Sequence, residues 1–561
     1  MLIKATDSPV LLRNPRYLLL LLFLILSFSL ISTSLLFSIQ EQKMPPLSLT
    51  LLLGTAAIQS FVAHALPPKF FVFSERQTIA TVNESCPIYS EYSTVPHEPA
   101  SGGPLGLPTM RPDEGCRTFT STAVEDLLND YTPRMKDRDL AMLFTNALPN
   151  TLDTTVRWQS DEDQEPSSFI VTGDIEAMWI RDSCNQLATY QPLAVNDSAL
   201  RRLIKGAIAI QADYLGEYPY CGAFQPPAAS GLAPTFNEWA YGVEYPFTVD
   251  NQTVFECKYE LDSIAGFMKL SRQYYEYQND SSYLTSTWFN TLDTIFELLD
   301  NQTASTVDEN GEVHATYSFD SDKIPVVNGG VGHPVKETGM IRTSFRPSDD
   351  LVIYGFHIPD NALLTVELRG VAKILKTEGL RDDLVTKATE IADRVERAIW
   401  DHGVFDHPEF GYVFAYEIDG FGGRVFMDDA NVPSLMSLPY LGFLDAENGV
   451  YKNTRKMLTS TQGNPYFVRG KEFYGIGGPH ANLTKPWPMN LVSVMVTSDD
   501  KEEIKNTLAW LTNSTGGLGL IHESVNIHNS SDYTRQWFAW ANSYFAEAVI
   551  KIAGEYPDLL F

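Results

Sequence analysis

Past residue 110 the chain repeats one pattern: apolar residues every three or four positions, then a long loop, then another helical stretch. One stretch begins at Asp360, a residue type that caps helices, and carries Leu363, Leu364, Val366, Leu368, Val371, Ala372 and Leu375 before Gly379. The next runs from Asp383 through Leu384, Ala388, Ile391, Ala392, Val395, Ala398 and Ile399 to Gly403. The segments 199–214, 259–278, 283–299, 502–511 and 537–553 read the same way. Strand signals are few, and 404–416 is the best hairpin candidate. The loops between helices are long and rich in glycine and aromatic residues: 222–245, 323–353, 419–438 and 467–487. Loops of that length are uncommon in a compact domain unless they build a site. The pattern predicts an all-α fold, an α/α barrel with long loops forming the active site on one face. An α-solenoid would show a fixed repeat, and none is visible.

The N-terminus reads differently. Residues 1–65 are expected to be a signal peptide or an N-terminal membrane anchor. Lys4, Arg13 and Arg16 precede an apolar run over 17–37, long enough for a bilayer core of roughly 30 Å. A second start at Met44 would precede Pro45-Pro46, an apolar run over 47–62 and Ala63-His64-Ala65, the pattern of a cleaved secretory signal. The secreted form is preferred; both forms put the bulk of the chain in the secretory-pathway lumen or outside the cell, and any membrane contact in this N-terminal segment alone. Residues 66–110, rich in Pro, Ser, Gly and Thr, are expected to be an extended arm, and 111–561 the catalytic domain. Eight Asn-x-Ser/Thr triplets, at Asn83, Asn196, Asn251, Asn279, Asn301, Asn482, Asn513 and Asn529, predict N-glycans at several positions. The spacing of the five cysteines matches no zinc pattern and does not dictate pairing. In an oxidising compartment Cys86–Cys116 and Cys221–Cys257 are the expected disulfides, with Cys184 free and buried. The net charge of −29 argues against nucleic acid as a partner.

Three segments concentrate carboxylates, Arg, His and Trp. The first, 173–183, holds Trp179, Arg181 and Asp182, a set that grips sugars by bonding vicinal hydroxyls under an indole face; a structural ion pair beside a core Trp has the same local sequence. The second, 344–350, holds Arg346, Asp349 and Asp350; its adjacent acids suit a helix start, a cation site or one carboxylic acid kept protonated by its neighbour. The third, 521–542, holds Glu523 on a glycine-rich approach, and then Arg535. Glycoside hydrolysis needs two carboxyls flanking the scissile bond. Nucleophile-elbow, nucleotide-loop and His-Glu-x-x-His motifs, which rival chemistries need, are not found.

Together 177–183, 344–350, 475–480 and 521–542 resemble glycoside hydrolase family 125, exo-α-1,6-mannosidases on an (α/α)6 barrel. The resemblance implies an exo-acting, inverting α-1,6-mannosidase working on terminal mannose of α-1,6-linked mannosides, with no metal and no cofactor. It implies a general acid within Ser348-Asp349-Asp350, with Asp350 favoured over Asp349, and Glu523 as general base. Trp179, Arg181, Asp182, Arg346, His480, Trp487 and Arg535 are the expected substrate-binding residues, closing a pocket at one end. Gly478 stands where bacterial members are expected to have Ser. A catalytically inactive mannan-binding protein, or another helical-barrel glycosidase, would share the scaffold.

Overall fold

The computed structural model describes residues 86–237, 243–245 (backbone only), 248–321 and 324–561, which all fall in one compact unit from Thr78 to Phe561. The N-terminal leader and Asn83 lie outside the described residues, and among the described residues no helix is long and apolar enough to cross a membrane.

Twelve principal helices follow in order: α1 (Thr122–Tyr131), α2 (Arg138–Ala147), α3 (Ile180–Ala188), α4 (Ser198–Glu217), α5 (Leu261–Gln278), α6 (Ser286–Asn301), α7 (Ile358–Glu378), α8 (Asp382–His402), α9 (Gly449–Leu458), α10 (Pro488–Val496), α11 (Lys501–Asn513) and α12 (Ala539–Glu555). They form an (α/α)6 barrel. Helices α3, α5, α7, α10 and α12 belong to the inner ring, with the short turn Leu438–Leu441 packed beside α7. The others form the outer layer.

The two layers are built from different sequence. Outer helices are amphipathic, and all but α8 are capped. Side chains of Ser121, Asp137, Asp197, Thr285, Asn448 and Asp500 accept backbone N–H bonds in the first turns of α1, α2, α4, α6, α9 and α11. The buried face of α8 is Leu384, Ala388, Ile391, Ala392, Val395, Ala398 and Ile399, the stripe read from its periodicity. Two inner helices are buried on every side. All nine residues of α3 and all nine of α10 are buried. Their first residues follow Trp179, Glu260, His357, Trp487 and Phe538, none of which caps with its side chain. Five sets of N-terminal amides therefore open toward one end of the barrel without side-chain caps.

Three sequence expectations need correction here. Residues 180–188 form an inner helix, so Arg181 and Asp182 project from a helical first turn rather than a loop. Helix α10 went unread for the same reason: a wholly buried helix has no polar face to give it a period. Asp360 does not cap α7, which starts two residues earlier with Pro359 in its first turn; Asp360 is fully buried and lies 2.8 Å from His357 Nδ1.

Short strands line the loops at the same end. Met178–Trp179 pairs with Ala223–Phe224, which pairs with Val254–Glu256. Phe356–His357 pairs with Glu417–Ile418, which pairs with Arg424–Val425. The hairpin expected at 404–416 is present, with Val404 opposite Phe414. The Cys86–Cys116 and Cys221–Cys257 disulfides form, and Cys184 is free and buried. The described part of the arm packs on the barrel: Tyr89 meets Trp537 edge-on at 4.8 Å, and Leu107 and Met110 are buried.

Candidate active site

A pocket opens at the uncapped ends of α3, α10 and α12. Its walls are Thr172, Trp179, Arg181, Asp182, Pro347, Ser348, Asp349, Asn431, Trp487, Glu523, Arg535, Phe538 and Trp540. Counted out to its mouth it encloses about 340 Å³. Four aromatic rings clothe it. Trp487 meets Phe538 edge-on at 6.2 Å, and Phe538 meets Trp540 at 6.0 Å. Trp487 Nε1 is buried with no protein acceptor, a donor left for a ligand.

Glu523 is fixed by a small hairpin. Ser524–Asn526 pairs with Asn529–Thr534, which brings Thr534 beside it. Thr534 Oγ1 donates to Glu523 Oε2 at 2.7 Å. Arg535 follows with φ 43°, in the left-handed region, and this turn sets its guanidinium 3.3 Å from Glu523 and 3.5 Å from Asp174. Asp174 sits on the tight loop after Gly173, where an added Cβ would come 2.9 Å from the Trp537 carbonyl oxygen. Burial raises the Asp174 carboxyl above its usual range; Arg535 opposes this and Glu523 adds to it. Beneath them His522 stacks on Tyr533 at 3.9 Å, and burial pushes its imidazole down to about 4. It is a neutral support for the Glu523 backbone.

Opposite lies the Ser348-Asp349-Asp350 turn. Asp349 donates its N–H to the Arg346 carbonyl and Arg346 donates its own to the Asp350 carbonyl. This puts Asp349 at φ 66°, again left-handed, with its carboxyl on the pocket wall. Asp350, the residue favoured from sequence as the acid, is not on that wall. Its Oδ2 accepts from Ser348 Oγ at 3.2 Å, and its Oδ1 lies 3.5 Å from His480 Nδ1. Burial alone would lower His480, but the Asp350 bond and the nearby negative charges raise it to about 9. His480 therefore stands protonated beside the pocket rather than in its wall, with its ring 5.7 Å from Trp487.

Arg346 was expected to bind substrate and does not reach the pocket. It is 1% exposed, donates to Glu417 Oε1 at 2.6 Å and lies over the Tyr416 ring. It anchors the turn that presents Asp349. Trp179, Arg181, Asp182, Trp487 and Arg535 do line the pocket, together with Glu523.

Arg181 is the centre of the floor. Four carboxyls surround its guanidinium: Glu260 at 3.0 Å, Asp349 at 3.2 Å, Asp182 at 3.4 Å and Asp262 at 3.5 Å. Burial raises Asp182 to about 6 and Asp262 to about 7, with Arg181 opposing in both cases. Burial also pushes Asp349 up, yet Arg181 and Lys258 outweigh it and hold that carboxyl well below its usual range. Among the described residues no three His, Cys, Asp or Glu side chains are grouped to hold a metal ion. Glu260, Asp262, Asp174 and Asn431 were missed by sequence reasoning. Isolated carboxylates carry no local signal, and only the clustering of inner-helix ends shows what they face.

The model of the family described as metal-independent α-mannosidase (GH125) matches residues 137–550. The meiotically up-regulated gene 157 protein of Schizosaccharomyces pombe is 46% identical over 484 residues, covering 85% of this chain and 94% of that protein. A Streptococcus pneumoniae structure, from a family of metal-independent α-mannosidases tied to processing of N-linked glycans, is a non-productive complex with α-1,6-mannobiose. It matches with TM-score 0.69 and 31% identity over 77% of this chain and 99% of that one.

Proposed function

This chain belongs to glycoside hydrolase family 125, the metal-independent α-mannosidases, and from that premise we propose that it is an exo-acting, inverting α-1,6-mannosidase. The observation that carries the reading is one small pocket holding Asp349 and Glu523 among aromatic rings and a buried guanidinium. The pocket is walled by side chains from several separate segments of the chain. That suits one terminal sugar rather than a chain running through. The α-1,6 linkage is suggested by the disaccharide bound to the Streptococcus pneumoniae relative.

In this reading Glu523 is the general base. It takes a proton from a water that attacks the anomeric carbon, on the face opposite the leaving oxygen. Thr534 and Arg535 fix the carboxylate for that task. Asp349, on the wall with access to the sugar, is the general acid that protonates the departing oxygen; geometry precedes pKa in choosing it over Asp350. Arg181, Asp182 and Asn431 bond hydroxyls, and Trp179, Trp487 and Trp540 cover the apolar ring faces. Buried polar groups of this kind discriminate, since a misplaced hydroxyl leaves them unpaired at about 1–3 kcal/mol each.

The test is incubation of the purified chain with α-1,6-, α-1,2- and α-1,3-mannobiose and with an α-1,6-mannan, followed by NMR. Cleavage of the α-1,6-linked substrates, β-mannose as the first-formed anomer and free mannose from the earliest time points are expected. Early oligosaccharides would overturn exo action, first-formed α-mannose would overturn inversion, and preference for another linkage would overturn the substrate.

The reading extends to the secretory pathway, as a secreted or lumenal glycoprotein. It is supported by two disulfides and by exposure of Asn196, Asn251, Asn279, Asn301, Asn482, Asn513 and Asn529.

A further inference from the structure

Glu260 lies under the pocket and has no part in the chemistry assigned so far. It precedes the first residue of α5, and its side chain is 1% exposed. Its Oε2 lies 3.0 Å from Arg181 Nη1 and accepts from Ser263 Oγ at 3.2 Å. The same guanidinium holds Asp349 Oδ1 through Nη2 at 3.2 Å. The two carboxyls are thus paired on one fork, through its two Nη atoms. Glu260 Oε1 receives a bond from no protein donor. Two carboxyls held on one guanidinium repel each other unless one keeps its proton, because neither ionised form can donate.

The surroundings make the proton obligatory. From α3, Arg181 and Asp182 face this group; from α5, Asp262; from the strand before it, Glu256, which pairs at 3.1 Å with Lys258 just beyond that strand; from the turn, Asp349. Tyr317 adds its hydroxyl beyond Tyr259. One guanidinium among four carboxyls, three of them buried, leaves uncompensated charge, which buried groups relieve by staying protonated. Burial, reinforced by Asp349 and Asp262, raises Glu260 well above its usual range, while Asp349 is depressed. Glu260 is 1% exposed and Asp349 25% exposed, so loss of solvation places the proton of the resting pair on Glu260. The position is also built for this side chain. A Cβ on Gly222 would come 2.5 Å from Glu260 Oε2, and the Cys221–Cys257 disulfide clamps the strands on both sides of that contact.

We infer that Glu260 stores the proton delivered by the general acid: the proton passes from Glu260 to Asp349, and from Asp349 to the departing glycosidic oxygen. The inference rests on the reading of Asp349 as the acid. In the step, the Glu260 O–H bond breaks as an Asp349 O–H bond forms. That bond breaks in turn as the leaving hydroxyl forms and the C–O bond to the anomeric carbon is cut. Both carboxyls end ionised on Arg181. Glu523 meanwhile takes one proton from the attacking water. After product release Glu523 gives a proton to solvent and Glu260 regains one, so the cycle balances. Glu260 touches no substrate and is a positioning residue with a proton to lend.

The test is Glu260→Gln, which keeps size and can bond Asp349 but holds no transferable proton. Two substrates are compared, α-1,6-mannobiose, whose leaving sugar needs protonation, and 2,4-dinitrophenyl α-mannoside, whose leaving group departs as an anion. Turnover of the mannobiose is expected to fall by ~10²-fold or more, the low end of general-acid contributions, and that of the aryl mannoside by less than ~5-fold. The alkaline limb of kcat/KM for mannobiose is expected to shift to lower pH. Equal losses on both substrates would mean a merely structural role, and unchanged mannobiose turnover would mean no proton is drawn from Glu260; either result overturns the inference. Asp349→Asn in parallel separates the two layers. If it keeps mannobiose activity, the acid assignment fails. If it loses that activity while Glu260→Gln keeps it, only the proton store fails. Should Glu260→Gln not fold, Glu260→Asp carries the same comparison, with the leaving-group split reduced but present.

Discussion

Replacing Arg181 by Met removes the one cation around which four carboxyls are arranged. The side chain is 4% exposed, and its contacts run from 3.0 to 3.5 Å. At an effective dielectric constant of about 20, a unit pair at 3.0 Å is worth about 5 kcal/mol before any response. The response is proton uptake by the stranded carboxyls, so the net cost is capped near the ~3–5 kcal/mol for breaking a buried pair. Unfolding entropy of ~2.1 cal/mol/K per residue gives roughly 1 kcal/mol/K for a domain of this size, hence a Tm drop of ~3–5 °C near neutrality. The pH dependence follows in sign. In the wild-type protein Asp349 is depressed, so its stabilising contribution is present above its unfolded pKa and is lost as pH falls through the folded one. Asp182 at about 6 and Asp262 at about 7 are raised, so their protonated forms stabilise at low pH and that contribution is lost as pH rises through those values. Without Arg181 all four carboxyls join the raised class. The deficit of Arg181→Met should therefore be largest at about pH 8 and shrink toward about pH 5, where the variant has its carboxyls protonated and no longer strands their charge. Thermal unfolding by circular dichroism at the two pH values reads this directly. A variant that melts with wild type at the higher pH, or whose deficit grows on acidification, would refute the view of Arg181 as the counter-charge of the floor.

Glu523→Gln is expected to lower turnover by at least ~10²-fold with little change in melting temperature, measured as mannose release from α-1,6-mannobiose. Asp349→Asn should do the same while Asp350→Asn keeps most activity; the reverse ranking would return the acid role to the residue favoured from sequence. Incubation with EDTA followed by dialysis should leave activity unchanged, because the carboxyls of the floor converge on a guanidinium; activity restored only by added calcium would contradict this. Enzymatic removal of N-glycans should sharpen and speed the gel band of the protein expressed through a secretory pathway, and Asn482→Gln should remove one step of that shift. Thr484 already donates from both N and Oγ1 to the Asn482 side chain at an exposed turn.

The barrel was legible because most of its helices obey the helical period. Helix α8 buries the residues its stripe names, and α7 ends at Gly379 in the left-handed conformation at φ 67°. Glu523, Arg181, Asp182 and Trp179 could be picked out because charged and aromatic residues beside glycine-rich loops stand apart from a solvated surface. Inner helices α3 and α10 were not legible, although α5, α7 and α12 are read from their periodicity. Helix α3 carries Arg181, Asp182, Asn185 and Gln186 on a segment buried throughout, so burial there follows from neighbours and not from polarity. Arg346 and Arg181 each follow an aromatic or apolar residue and precede an acid within a few positions, yet one is tied to Glu417 behind the turn and the other forms the pocket floor. The choice between Asp349 and Asp350 turns on a left-handed residue, a backbone state that two neighbouring aspartates do not announce. Glu260 is the extreme case. Its meaning comes from Arg181, Asp349 and Gly222, brought to it by three other segments of the chain. Periodicity is a property of consecutive residues and survives in the sequence. The protonation state of a buried carboxyl depends on the distances to charges far along the chain, and only folding sets those.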